Sequence, residues 1–428
     1  MEKILRTIQK IIPKRLYVFM QPKYHYLMAL LGAIIYRFPA RNLFIIGITG
    51  TKGKSSVTEM VNSILEDAGY KTAVAGTIRF KIGEESRPNK FKMSMPGRFF
   101  LQKFLRECVN KKCTHVILEM TSEGSKFYRN KFIPNDAFIF TNLTPEHIES
   151  HGSFENYKNA KLNIAKNLKK DWQFDKKLNP KKETFGVVNQ DDEHFEDFYN
   201  INYTNKIKYS ITDAKPIDLS NGIKMRFEKN TIFSSLEGEF NVYNILAASS
   251  LCYLMGIPEK NIRQGIENLK SIPGRVQKIN AGGFDVIVDY AHTAESLEAL
   301  YKTFPNKKKI CVLGNTGGGR DKWKRPLMAQ IAEKYCDEII LTNEDPYDED
   351  PMEIISQMEK ALKKNRHAVI LNRREAIHSA IRKAGKESVV LITGKGTDPY
   401  IMEADGKKTP WSDYNVAKEE LEKIKKSQ

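Results

Sequence analysis

The stretch Leu43-Phe44-Ile45-Ile46-Gly47-Ile48-Thr49-Gly50-Thr51-Lys52-Gly53-Lys54-Ser55-Ser56-Val57 decides the fold. Leu43 to Ile48 is a short apolar run ending in a glycine-containing turn, the pattern of a buried strand that feeds a loop. Beyond the loop, Val57, Met60, Val61, Ile64 and Leu65 recur at helical spacing. Strand, glycine loop and helix in that order make an anion cradle. Glycines let backbone N–H groups approach phosphate oxygens, and the helix N-terminus adds partial positive charge. Lys54 is placed to reach the β/γ-phosphates, and Ser55 to ligate Mg²⁺. The spacing is one residue longer than GxxxxGK[ST], because five residues separate Gly47 from Gly53. Thr49, Gly50, Thr51, Lys52, Gly53, Lys54, Ser55 and Ser56 are expected to bind the phosphates of ATP.

Working outward, Lys71 to Ala75, His115 to Met120 and Asp136 to Phe140 read as further buried strands, with a helical pattern at Phe99 to Val109. The alternation predicts a mostly parallel sheet with helices on both faces. Residues 168–235 are rich in Lys, Asp and Asn, with weak alternation near Lys206 to Tyr209 and Ile223 to Phe233. They are expected to form a small β-rich insertion. Helical order resumes at Asn241 to Met255, and Pro273-Gly274 marks a boundary. Val286 to Tyr290, Lys309 to Leu313, Glu338 to Thr342, Ala368 to Leu371 and Val389 to Thr393 then read as strands with helices between. The expected organisation is α/β throughout. A basic and apolar N-terminal extension (1–43) precedes a central P-loop ATPase domain (44–272), and a Rossmann-like α/β domain (273–428) follows.

The chain has 428 residues and a formal charge of +17, a balance that favours anionic partners such as nucleotides or acidic surfaces. Much of the excess is scattered lysine, the pattern of a solvated surface, and no nucleic-acid-binding signature accompanies it. The five cysteines include no CxxC pair, and several lie in apolar stretches. Buried free thiols in a reducing, cytoplasmic compartment are expected. Residues 1–25 are basic, and Tyr26 to Tyr36 is apolar but shorter than the ~20 residues that span a bilayer. Two readings stay open: a helix packed on the central domain, or an in-plane helix at a membrane surface held by its basic flanks.

Glu119 ends the strand HVILEM, where sheet ends face a ligand crevice. A hard cation prefers oxygen ligands, which makes Glu119 the natural partner of Ser55 for Mg²⁺. The run Thr141-Asn142-Leu143-Thr144-Pro145-Glu146-His147-Ile148-Glu149-Ser150-His151-Gly152, with Tyr157-Lys158-Asn159-Ala160-Lys161, resembles the Mur ligase family of peptide ligases. TGTKGKS at Thr49 to Ser55, GEFNVYNILAA at Gly238 to Ala248, PGRVQ at Pro273 to Gln277, DYAHT at Asp289 to Thr293 and GGGRDKWKRPLMA at Gly317 to Ala329 match in order. Among subfamilies the resemblance is closest to MurE, the UDP-N-acetylmuramyl-tripeptide synthetases.

The resemblance implies roles. Lys161 matches a lysine that is carbamylated in the family and holds a second Mg²⁺ as an oxygen ligand. Glu119 and His147 match metal-binding positions. Asn241 and Asn244 lie in the adenine-side motif, Asp289 would face the ribose, and Lys322 the incoming phosphates. The implied reaction has two steps. A carboxylate oxygen attacks the γ-phosphoryl group to give an acyl phosphate, and the amine of an amino acid then displaces phosphate, leaving ADP and a new amide. The implied catalytic set is Lys54, Lys161, His147 and Lys322.

For the amino acid, Arg320 matches a substrate-contacting arginine. The Asp-Asn-Pro-Arg run of diaminopimelate-specific members stands here as Glu344-Asp345-Pro346-Tyr347, so Tyr347 replaces the arginine for the distal carboxylate. The acids Glu344, Asp345, Asp348, Glu349 and Asp350 instead suit a distal ammonium, or else form a solvated turn that caps the next helix. The family's GKGHE appears as Gly394-Lys395-Gly396-Thr397-Asp398, and Gly394 and Asp398 join the expected substrate set. Lysine is therefore favoured over diaminopimelate. Ser94, in Met93-Ser94-Met95-Pro96-Gly97, lies in the region that faces the muropeptide acceptor. Only 46 residues precede Gly47, too few for the family's UDP-binding domain. The acceptor is accordingly left open between UDP-linked and lipid-linked, the latter with membrane docking by the N-terminus. Rival readings are a folylpolyglutamate-synthase-like ligase, a MurT-like amidotransferase partner and a non-catalytic nucleotide-binding regulator.

Overall fold

The computed structural model describes residues 14–146, 148–168, 183–319, 321–364 and 366–426. His147 and Arg320 lie outside the described residues, as does 169–182 of the expected insertion. Two compact units emerge. The first gathers the chain up to Leu143 with Glu155–Tyr209 and Ala247–Pro258, and the second gathers Thr144–Phe154, Ser210–Leu246 and Glu259–Gln428.

The first unit is built on an eight-stranded sheet. Its strands are β1 (Phe44–Thr49), β2 (Thr72–Ala75), β3 (Arg79–Ile82), β4 (Glu85–Pro88), β5 (His115–Glu119), β6 (Ala137–Phe140), β7 (Phe185–Asn189) and β8 (Asn205–Tyr209). The spatial order is β4-β3-β2-β5-β1-β6-β7-β8. β1 lies between β5 and β6, parallel to both. All residues of these three strands are buried, which is why they read as continuous apolar runs rather than alternating ones. Register sets Ile48 opposite Glu119 and Thr49 opposite Phe140. The glycine loop, Glu119 and Thr141 therefore leave the sheet along one edge, the carboxyl ends of adjacent strands. The expected β-rich insertion is corrected in part. β7 and β8 extend the main sheet in parallel, and among the described residues of that stretch only β9 (Ile223–Phe227) and β10 (Asn230–Ser234) form a separate antiparallel hairpin, in the second unit.

The N-terminal helix Lys14–Ile35 packs on the helix Arg98–Asn110. Its backbone comes close at Gly32, where an added Cβ would lie 3.6 Å from the Cα of Phe99. Ala29 and Ala33 face inward, while Leu27, Leu31, Ile34 and Ile35 are exposed. No helix among the described residues is long and apolar enough to cross a membrane.

The second unit carries a six-stranded sheet of β11 (Gln277–Asn280), β12 (Asp285–Val288), β13 (Lys308–Leu313), β14 (Glu338–Leu341), β15 (His367–Val369) and β16 (Ser388–Ile392), in the order β11-β12-β16-β13-β14-β15. All pairs are parallel except β11–β12. Apolar residues fill both faces. Leu297, Leu313 and Met328 pack on one side, and Val312, Ile377 and Val416 on the other. A small hairpin, β17 (Tyr400–Met402) and β18 (Lys408–Pro410), completes the unit. The expectation of free thiols throughout is corrected. Cys311 of β13 is disulfide-bonded to Cys336, just before β14, while Cys108, Cys113 and Cys252 are free and buried.

Candidate active site

The loop after β1 is held by its own side chains and by the segment after β6. Gly50 has φ +152°, and a Cβ there would overlap Thr141 Oγ1 and crowd Asn142, so only glycine fits. Thr51 N donates to Asn142 O (2.8 Å) and Lys52 N to Asn142 Oδ1 (2.8 Å). Thr141 Oγ1 returns a bond to Lys52 O (2.6 Å), and Thr49 Oγ1 donates to Met120 O (2.8 Å). Gly53, at φ +83°, opens the helix Lys54–Asp67. Lys54 folds over the loop, its Nζ donating to Gly50 O (2.9 Å) and Thr51 O (2.8 Å).

Oxygen atoms converge beside it. Ser55 Oγ donates to Glu119 Oε2 (3.1 Å), as does Thr77 N (2.9 Å). Thr77 Oγ1 (2.8 Å) and Ser94 Oγ (3.2 Å) donate to Glu119 Oε1. Thr77 was not singled out by sequence reasoning, because a threonine in a loop after a strand carries no signal of its own. On the other side of the loop, Lys161 is buried, and its Nζ donates to Gly50 O (2.6 Å) and lies 4.7 Å from the ring centroid of Tyr157. Tyr157 Oη in turn meets Thr51 Oγ1 at 3.1 Å. Ser56 is buried at the helix start. No group of three His, Cys, Asp or Glu side chains suited to a metal exists among the described residues. The hydroxyl-and-carboxylate set around Glu119 still fits Mg²⁺, which keeps several waters and takes phosphate oxygens as its other ligands.

In the second unit Asn241 and Asn244 are both buried, and Asn244 Nδ2 donates to Asn241 Oδ1 (2.9 Å) while Asn241 Nδ2 donates to Glu237 O (2.8 Å). Asp289, after β12, accepts from Val276 N (2.7 Å) and Ala291 N (2.7 Å), and burial pushes its carboxyl above the ordinary range. His292 Nε2 meets Glu146 Oε1 at 3.1 Å. The glycine run at Gly317 to Gly319 turns through positive φ at Gly318 and Gly319. Lys322, half-exposed, pairs with Glu349 (3.1 Å), which also accepts from the buried Arg325 (3.1 Å).

The acids expected to form one cluster have separate fates. Asp345 is ion-paired to the buried Lys395 (2.7 Å) and accepts from Met402 N (2.8 Å). Lys395 also meets Asp398 at 3.7 Å. Glu349 is taken by Lys322 and Arg325. Asp350 caps the helix Pro351–Glu359 through Met352 N, and Asp348 accepts from Asp405 N. Tyr347 adopts φ +52° and donates its N–H to Met402 O (3.0 Å). Glu344 stands apart. Thr316 Oγ1 donates to its Oε1 (2.8 Å), but its Oε2 is buried with no hydrogen-bond partner among the described residues. Burial raises this carboxyl above its usual range, against the opposing field of Arg373. It sits at the carboxyl ends of β13, β14 and β16, so close to Gly394 that a Cβ there would overlap it. Asp345 is one of the five acids expected to suit a distal ammonium. Asp345 is paired with Lys395, fifty positions on, whereas Glu344 keeps a buried oxygen with no hydrogen-bond partner among the described residues.

A mostly parallel sheet whose first strand runs into this loop, with a hydroxyl, a carboxylate and a buried lysine at its rim, makes the first unit a P-loop nucleotide-binding domain. The second is a Rossmann-like α/β domain. Family profiles draw the boundary along the sequence: the Mur ligase middle domain matches residues 48–252, which includes Thr144–Phe154 and Ser210–Leu246 of the second compact unit, and the Mur ligase, glutamate ligase domain matches residues 274–396. A UDP-N-acetylmuramoyl-L-alanyl-D-glutamate–2,6-diaminopimelate ligase from Syntrophomonas wolfei is 34% identical over 397 residues, covering 88% of this chain and 78% of that protein. A solved structure of a ligase of that name superposes with a TM-score of 0.60 at 27% identity, over 90% of this chain and 79% of the other. A folylpolyglutamate synthase from Mycobacterium tuberculosis shares the fold, with a TM-score of 0.68 at 14% identity, over 89% and 97%. The chain belongs to the Mur ligase family and is MurE-like within it. It is an ATP-dependent acid–amino-acid ligase, and enzymes of this family use ATP and Mg²⁺.

Proposed function

We propose that this ligase adds a diamino acid to the carboxylate of a muramyl-peptide acceptor in peptidoglycan precursor synthesis. The observation that carries the reading is Glu344, a buried carboxylate with an unused oxygen at the carboxyl ends of the second unit's strands. Such a group is costly to bury alone and is relieved by an ammonium. Tyr347 in place of the arginine of diaminopimelate-specific members supports lysine as the amino acid, with Gly394 and Asp398 beside it. The relatives named for diaminopimelate keep that amino acid as the competing choice.

In the proposed chemistry, Thr49 to Ser56 hold the ATP phosphates, and Asn241, Asn244 and Asp289 serve the nucleoside. Ser55 and Glu119 would hold Mg²⁺, which neutralises charge on the phosphates. The acceptor carboxylate attacks the γ-phosphorus, the bond to the β-phosphate oxygen breaks, and ADP leaves. Lys54 turns from the loop carbonyls to the transferring phosphoryl group and offsets its charge. The uncharged amine then attacks the acyl carbon, phosphate leaves, and a proton is lost from nitrogen. Lys161, as a carbamate, would supply oxygen ligands beside the loop. Lys322 and His147 complete the proposed catalytic set, and Ser94 faces the acceptor.

The exposed apolar face of the N-terminal helix, flanked by Lys23, Arg37 and Arg41, supports peripheral contact with an anionic lipid surface and a lipid-linked acceptor. Release of phosphate with ATP and Mg²⁺ over a grid of acceptors and amino acids tests the whole reading. Turnover is expected with a muramyl dipeptide acceptor and lysine. Turnover with folate and glutamate alone would replace it by the folylpolyglutamate alternative.

A further inference from the structure

The helix Arg98–Asn110 ends in a turn that brings two cysteines together. Lys111 closes the helix, and Lys112 takes the chain through the left-handed region at φ +57°. Lys112 N donates to Val109 O (3.0 Å), and Cys113 N donates to Cys108 O (2.9 Å). These two bonds define a Schellman motif, in which the side chain just past the turn packs back on the last helical turn. Here both partners in that contact are cysteines, and the Cys108 thiol hydrogen-bonds the Cys113 sulfur. Cys113 stands two residues before β5, and its Sγ also donates to Thr72 O at the start of β2 (3.5 Å).

The two sulfurs have unlike surroundings. Cys108 is fully buried, and burial pushes its thiol well above the ordinary range. Cys113 is brought down to about 7, first by the bond from Cys108 and then, against burial, by the Gly83 N–H and the charges of Lys71 and Lys81. A thiol held partly as thiolate at neutral pH is the nucleophile of such a pair, and a second thiol in contact with it can resolve the product. Cys113 keeps 4% exposure, and its chain neighbour Lys112 is exposed. Lys112 also occupies a conformation that favours glycine, so this helix end opens more readily than the helix body. A small oxidant therefore has a way in at Cys113.

We propose that Cys113 and Cys108 form a reversible oxidation site, in which Cys113 reacts with a peroxide and Cys108 resolves the product as an intramolecular disulfide. The Cys113 thiolate attacks one peroxide oxygen, the O–O bond breaks, and the second oxygen leaves as hydroxide and becomes water. Sulfur is oxidised to a sulfenic acid as the peroxide is reduced. The Cys108 sulfur then attacks the sulfenic sulfur, the S–O bond breaks, and the departing hydroxide takes the Cys108 proton. Two thiols and one hydrogen peroxide thus give one disulfide and two waters. A dithiol reductant returns both thiols. The bond ties the helix end to the residue that leads into β5, and it removes the thiol hydrogen that Cys113 gives to Thr72 O.

The test treats the folded full chain with hydrogen peroxide, quenches with acid, alkylates in denaturant and maps tryptic peptides by mass spectrometry. Lys111 and Lys112 lie between the two cysteines, so cleavage there separates their peptides unless the disulfide joins them. The expected result is a linked Cys108–Cys113 pair that dithiothreitol releases. Cys252, whose thiol burial pushes up, should stay reduced and serves as the internal control. In Cys108→Ser the sulfenic acid is left unresolved, and dimedone should label Cys113 at least about tenfold more than Cys252. In Cys113→Ser, peroxide-dependent modification of Cys108 should fall at least about tenfold. No linked peptide in the oxidised wild type, or equal labelling of Cys113 and Cys252 in Cys108→Ser, would overturn the site. Undiminished oxidation of Cys108 in Cys113→Ser would overturn the order of attack. If either variant fails to fold, the wild-type map with Cys252 as its control decides the matter.

Discussion

Ser55 Oγ donates to Glu119 Oε2 at 3.1 Å, joining the first turn of the loop helix to the end of β5 across sixty-four positions of sequence. Because Ile48 and Glu119 are register partners, the carboxylate is carried to the loop by the sheet itself. Glu119→Gln keeps an acceptor for Thr77 and removes the charge. It is expected to lower kcat by about a thousandfold and to raise the Mg²⁺ concentration for half-maximal rate, with little change in Tm. An unaltered Mg²⁺ dependence would remove Glu119 from the metal site.

Lys161 is expected to carry a carbamate in the active enzyme. Bicarbonate labelled with carbon-13 should give one slowly exchanging carbon-13 resonance in wild type and none in Lys161→Ala. The variant should lose at least about a hundredfold in rate. Full activity in Lys161→Ala would end the assignment.

Selection of the amino acid should follow Glu344 and Tyr347. Glu344→Gln is expected to raise the KM for the diamino acid at least about tenfold while the KM for ATP holds. Tyr347→Arg should shift the ratio of kcat/KM values from lysine toward diaminopimelate. Because the Glu344 carboxyl lies above its usual range, lysine binding should weaken as pH falls through that raised value. An amine preference unmoved by both substitutions would place selection elsewhere.

How much of this was legible differs by residue. The strand-loop-helix order at Phe44 to Leu65 and the apolar runs of β5, β6, β13 and β16 were readable because buried parallel strands are apolar on both faces. β4 was not: Glu85 to Pro88 is an exposed edge strand with no apolar signal. β8 shows only weak alternation in its sequence because it is also an edge, and nothing in that sequence separates it from the β9–β10 hairpin. The split among Glu344, Asp345 and Glu349 depends on Lys395, Lys322 and Arg325, which a run of acids cannot reveal. The Cys311–Cys336 bond likewise depends on two neighbouring strands lying side by side.

Acid should loosen the first unit through His115. The ring is buried against Phe44 and Tyr70, and burial lowers its pKa to about 4 from the ordinary 6.5. The unfolded chain takes up the proton first, so stability is complete above about pH 6.5 and is lost as pH falls toward 4. The loss is on the order of 2–3 kcal/mol. Urea unfolding at pH 7 and pH 4.5 should show a smaller pH effect in His115→Phe than in wild type. An equal effect would clear this residue.

The exposed face of the N-terminal helix should bind vesicles containing anionic lipid and not neutral ones, with loss of binding at high salt. Leu31→Glu with Ile34→Glu should abolish sedimentation with vesicles while leaving turnover of a soluble acceptor intact. Equal partitioning of wild type and variant would reject the membrane contact.

The central claim is that ATP activates a carboxylate of the acceptor as an acyl phosphate. Oxygen-18 placed in that carboxylate reports it directly, by mass spectrometry of the phosphate released during amide formation. One labelled oxygen per phosphate is the expected result, because the attacking oxygen leaves with phosphorus. Phosphate that carries no label, from a reaction that does form the amide, would contradict it.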